Sequence, residues 1–161
     1  MILGMTTSTF TLLHVFVSFL GIGSGVAVMY GWIAGKRLDG LTAFFLATTV
    51  LTSVTGFAFP FEHLTPGLKI GILSLVVLAV AILARYVLDL AGAWRTIYVV
   101  FAALALYFNV FVLIAQSFQK VPALKALAPT QQEPPFLVAQ LVVLALFVVL
   151  TTMATRRFRR A

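Results

Sequence analysis

The sequence predicts an all-α integral membrane bundle of five transmembrane helices, with the N-terminus outside and the C-terminus in the cytoplasm. Three observations lead there. First, 62% of the 161 residues are hydrophobic and only 9% charged, whereas about a quarter of a soluble domain is charged. Second, five apolar segments, at 9–34, 41–59, 70–88, 94–117 and 136–155, each come close to or exceed the roughly 20 residues that cross a bilayer. Third, the alternate loops divide the basic residues unevenly. Lys36, Arg37, Arg85, Arg95, Arg156, Arg157, Arg159 and Arg160 fall on one side, and Lys69, Lys120 and Lys125 on the other. The richer side is expected in the cytoplasm.

The first segment, 9–34, follows the start MILGMTTSTF, which has no basic stretch before its apolar run. It is therefore expected to stay as a helix rather than be cleaved as a signal peptide. Within it, Gly21 and Gly25 form a GxxxG ridge suited to close helix packing. A phosphate-binding loop is excluded there, because no strand precedes it and irregular backbone would lie inside the membrane. The turn Gly35-Lys36-Arg37-Leu38-Asp39-Gly40 leads to the second segment, 41–59. Thr48, Thr49, Thr52, Ser53 and Gly56 share one face of it, where small hydroxyl residues are expected to pack and hydrogen-bond against neighbouring helices.

Pro60 and Pro66 stop the second helix and restart the third, 70–88. Near the end of the third, Arg85 and Asp89 stand one turn apart, as an ion pair at the headgroups would require. Ala91-Gly92 makes the next turn. The fourth segment, 94–117, carries Asn109 and Gln116 seven residues apart on one face. The loop 118–135 is the longest, expected in the periplasm, and VPALKALAP within it predicts a short interfacial turn with Leu124 and Leu127 toward lipid. Pro134 and Pro135 suit the first turn of the fifth helix, 136–155. The terminal Arg156, Arg157, Arg159 and Arg160 read as a topology signal and a contact to lipid headgroups. Tyr30, Trp32, Tyr86, Trp94 and Tyr98 fall near the same membrane face and predict an interfacial aromatic belt. The whole of 1–161 forms one transmembrane domain.

Placing polar residues by depth gathers His14, Glu62, His63, Asn109, Gln116 and Gln140 in the outer half of the bundle. Such side chains are costly in lipid and turn inward. They are expected to line a periplasm-facing polar pocket, with Glu62 and His63 at its rim and His14 and Asn109 in its floor. Two imidazoles could ligate the iron of haem b, and His, Asn and Gln donors in an apolar pocket also suit a quinone.

Several classes are excluded. There is no cysteine, so neither disulfides nor thiolate metal sites occur. The net charge of +7 resides at helix ends, not on a polar face that could meet nucleic acid. The acids, Asp39, Glu62, Asp89 and Glu133, stand at helix ends or in loops, away from any activated nucleophile. Expected is a non-catalytic accessory subunit or a protein that binds a small lipophilic ligand, in contact with lipids, and self-associated or part of a larger membrane complex. The alternatives are a redox subunit holding haem b or quinone through His14 and His63, and a small channel or permease using the Thr48/Thr52 face.

At TTVLTSVTGFAFPFEHL and KVPALKALAPTQQEPPF the chain resembles an uncharacterised group of small multi-pass inner-membrane proteins of Gram-negative bacteria. It is also loosely similar to the DoxX type in size and hydropathy. The first resemblance implies bacterial inner-membrane placement, and brings no activity or catalytic residue with it.

Overall fold

A computed structural model describes residues 1–158, which fold into six helices with no strand among them. These are α1 (Thr7–Ile33), α2 (Asp39–Gly56), α3 (Pro66–Ile82), α4 (Trp94–Lys120), α5 (Pro122–Leu127) and α6 (Pro134–Phe158). A π turn, Leu83–Val87, prolongs α3. Four helices are long and apolar enough to cross a membrane: α1, α3 with its π turn, α4 and α6. Helix α2 is shorter than the expected 41–59, starts on Asp39 and is rich in threonine.

Local chemistry accounts for the helix ends. The Thr6 hydroxyl accepts from the Thr9 N–H at the start of α1, and the Thr65 hydroxyl accepts from the Leu68 N–H ahead of Pro66 in α3. Helix α1 closes on Gly35, whose φ of +69° lets the Lys36 N–H reach the Gly31 carbonyl and the Gly35 N–H reach that of Trp32. Pro122 and Pro134 occupy first turns, where a missing donor costs nothing.

The helices run alternately, so one end of the bundle gathers the close of α1, the start of α2, the π turn, the start of α4 and the close of α6. The core is centred here. Trp32, Tyr98 and Phe158 are nearly inaccessible and their rings meet, Trp32 to Tyr98 at 5.4 Å edge-on. Ala81, Ala84, Ala102, Ala105 and Ala154 are fully buried around them, and their small side chains allow the helices to approach closely. Trp32 and Tyr98 are thus core residues, not members of an interfacial belt; Tyr30 and Tyr86 are exposed as the belt requires.

The expected Arg85–Asp89 pair does not form. The helix breaks at Val87, and Asp89 sits beyond it with a φ of +49°. The wide π turn directs both Ala84 and Arg85 inward, and the Arg85 guanidinium donates to Asp39 on α2 instead. It also lies over the faces of Tyr98 and Tyr86, at 5.2 and 5.6 Å. Asp39 is shared with Arg37 at 3.7 Å and complements the start of the α2 dipole.

Nearer the middle, Gly25 supports the expected close packing. A Cβ there would stand 2.6 Å from Leu106 and 2.7 Å from Phe45. At Gly21 it would stand 3.3 Å from Asn109 Nδ2 and from Thr49 Oγ1, so α1, α2 and α4 converge at this level. The hydroxyl stripe of α2 is packed as expected, with Thr48, Thr49 and Ser53 buried, but its hydrogen bonds run differently. Thr48, Thr49, Thr52 and Ser53 donate to carbonyls of their own helix, and only Ser53 also reaches another helix, at Ser74 of α3. Short hydroxyl side chains meet the i−4 carbonyl before they meet a neighbour.

Candidate functional site

The opposite end of the bundle is not filled. A cavity of about 610 Å³ opens between α1, α2, α3 and α4, within the range of roughly 300 to 1,000 Å³ found for small-molecule sites. Phe19, Ile22, Leu68, Ile70, Phe108, Val112 and Leu113 supply its apolar walls.

Of the residues expected to form a pocket, His14, Asn109 and Gln116 line this cavity. Glu62 and His63 do not. They are exposed in the connection between the close of α2 at Gly56 and the Thr65 cap of α3; the helix ends ahead of Pro60 rather than at it. His63 is therefore not brought to His14, and no group of three His, Cys, Asp or Glu able to hold a metal occurs among the described residues. Gln140 is buried elsewhere, on the face of α6 that meets α4, where its Nε2 donates to the Phe111 carbonyl at 3.2 Å and its Oε1 has no partner. Arg156 and Arg157 are exposed at the far end, as a headgroup contact requires; Arg159 and Arg160 lie outside the described residues.

The phenylalanines beside Glu62 and His63 are the residues that shape the mouth. Phe57, Phe59 and Phe61 all line the cavity. Phe59 packs edge-on against Phe10 at 5.1 Å and against the His14 ring at 5.3 Å, while Phe57 packs on Gly71 of α3. Phe57 caps the end of α2 and Phe59 follows in the turn after it, so the close of α2 carries them to the mouth. Lys120 joins them from the end of α4. Below the mouth, Phe118 and Phe136 meet edge-on at 5.4 Å, with Ala128 and Leu124 packed beside them. Leu124 therefore faces protein, and only Leu127 of the expected pair is exposed.

His14 is held from two sides. Its Nδ1 lies 2.8 Å from the Thr55 hydroxyl of α2, and Phe59 covers its ring. Among the other polar lining groups, the hydroxyls of Thr11, Ser18, Thr52, Ser53 and Ser117 donate to carbonyls of their own helices. Thr65 caps α3, and the Ser74 hydroxyl pairs with that of Ser53 at 3.2 Å. Hydrogen-bonding capacity remains on His14, Asn109, Gln116 and Lys120. Asn109 has its Nδ2 buried without a partner, next to Gly21.

The arrangement is an apolar chamber with a few polar groups on the α1 and α4 sides and an aromatic mouth. It offers binding and orientation. Among the described residues no carboxylate lines it, and the one hydroxyl paired with an imidazole, Thr55 beside His14, is not among the residues that line the cavity. Set against known proteins, the chain has no matching family model and no significant match to a curated protein or a solved structure.

Proposed function

We propose that this chain is a non-catalytic protein of the bacterial inner membrane that crosses it five times and holds a small lipophilic molecule in its outer half. The cavity between α1, α2, α3 and α4 is the observation that carries this reading. It has the size of a ligand site, apolar walls and few uncommitted polar groups, which is the composition such sites share.

Two features support α2 as the fifth crossing. Its 18 residues span about 27 Å at the usual helical rise, close to the roughly 30 Å hydrocarbon core. Its ends are tied at opposite ends of the bundle, through Asp39 to Arg85 and through Thr55 to His14. The excess of basic residues at the Arg85 end supports a cytoplasmic position for that end and a cavity facing the periplasm. The haem alternative has less support, because His63 stands outside the cavity that His14 lines.

The test is extraction of lipophilic molecules from the purified chain and from a Val112→Phe variant, followed by mass spectrometry. A species retained by the first and depleted from the second is expected, whereas identical extracts would count against the reading. Reporter fusions at residues 38 and 128 are expected to give cytoplasmic and periplasmic signals, respectively. The same side for both would remove the odd number of crossings between them.

A further inference from the structure

Resting on the ligand reading above, we infer that the occupant is a lipophilic acid: an apolar body ending in an ionisable hydroxyl that shares a proton with His14 Nε2 beside Lys120.

The argument starts at Thr55. A hydroxyl has one proton, and the Thr55 oxygen lies 2.7 Å from the Leu51 carbonyl and 3.2 Å from that of Thr52. Both are acceptors only, so the proton is committed to them. The contact of 2.8 Å to His14 must then be made by a proton on Nδ1, with Thr55 accepting. In a neutral imidazole this leaves Nε2 as a bare acceptor. Nε2 has no partner among the described residues and is not among the buried unpartnered atoms, so it is an accessible atom on a residue that lines the cavity. Phe59, edge-on to the ring, holds that orientation.

An acceptor of this kind meets a hydroxyl well and a carbonyl badly. A carboxylic acid donates to Nε2, and if the proton crosses, the imidazolium donates back to the carboxylate. One proton satisfies both partners in either position. An ester or a quinone brings only acceptors and faces the lone pair of the neutral ring. The charge lining the cavity agrees. Lys120 contributes a cation and, among the described residues, no carboxylate lines the space, so an anionic head is favoured over a cationic one.

The test compares radiolabelled palmitic acid, cetyl alcohol and methyl palmitate, which share one chain length and differ at the head, binding to the full-length protein in detergent. The acid is expected to bind at least tenfold more tightly than the ester, with the alcohol between them. Lys120→Gln is expected to weaken the acid and leave the alcohol unchanged. Thr55→Val releases the ring to carry its proton on Nε2, and is expected to bring the acid and ester affinities together while ester binding persists, which shows the variant folded. An ester that binds as tightly as the acid overturns the inference and leaves the ligand reading standing. Failure of all three to bind overturns both.

Discussion

The two ends of this bundle share α1, α2, α3 and α4, with α6 joining them at the Arg85 end, and reach opposite results. At the Arg85 end, large rings and alanines interlock, and the guanidinium is held by Asp39 and two tyrosine faces. At the His14 end, serine, threonine and glycine occupy the facing positions of α1, α2 and α3, and the space they leave is roofed by Phe57, Phe59 and Phe61. In a membrane there is little hydrophobic force to close such a space, because lipid is as apolar as the side chains, and packing alone decides. One end therefore holds the helices together, and the other can stay open at little cost.

Disrupting the closed end should have the largest effect. Asp39→Asn leaves the buried Arg85 without its counter-charge, which should cost about 2 to 3 kcal/mol, discounted from the fully buried case because Asp39 is exposed. Unfolding in detergent by SDS titration measures it. Arg85→Met in the same background is expected to recover most of the loss, and a failure to recover would mean that the ion pair is not what Asp39 supplies.

Gly25→Ala tests the join between the two ends. Its methyl would enter contacts of 2.6 and 2.7 Å with Leu106 and Phe45, and overpacking of this kind costs about 1 to 3 kcal/mol. Gly23→Ala is the control, with no atom within 4 Å of the new Cβ, and should stay within about 0.5 kcal/mol. Equal effects at the two glycines would falsify the assigned α1–α2–α4 contact.

At the open end, stability and occupancy should separate. Val112→Phe adds a ring to an unfilled space, so its stability should stay within about 0.5 kcal/mol of the parent, while the retained ligand is lost. A strongly destabilised Val112→Phe would show that the wall cannot accommodate added volume.

The smallest effect concerns the loop below the mouth. Desolvation pushes the Glu133 carboxyl up, but hydrogen bonds from the Thr130 hydroxyl and from the N–H groups of Thr130 and Gln132 outweigh it and hold the group below its ordinary value. The sign follows: a lowered carboxylate contributes stability above the ordinary pKa and loses it as the pH falls through the lowered one. Hydrogen exchange at Thr130 and Gln132 should therefore lose protection on acidification below about pH 4.5, and Glu133→Gln should abolish that dependence. A pH dependence unaltered in Glu133→Gln would assign the effect to another group.

Much of this was legible in advance, and unevenly so. Proline- and glycine-bearing turns and the apolar runs between them marked where helices start and stop, within a few residues: 9–34 became Thr7–Ile33, and 136–155 became Pro134–Phe158. His14, Asn109 and Gln116 pointed to the cavity because polar side chains in lipid must turn inward. Glu62 and His63 followed the same rule and misled, since they lie beyond the end of α2, in a turn that leaves both exposed. Phe57, Phe59 and Phe61 gave no polar signal at all.

Sequence by itself therefore determined the helical class, the helix limits and the end that gathers charge, because these depend on local composition and on the transfer of residues between water and hydrocarbon. Tertiary structure alone decided that Arg85 meets Asp39 rather than Asp89, that Thr55 holds His14, and that the phenylalanines close the mouth. The physical reason is that lipid-facing and protein-facing surfaces of a membrane helix are both apolar. Hydrophobic periodicity, which reveals the inward face of a soluble helix, says little here, and partners are chosen by shape and by the few polar atoms that must be satisfied.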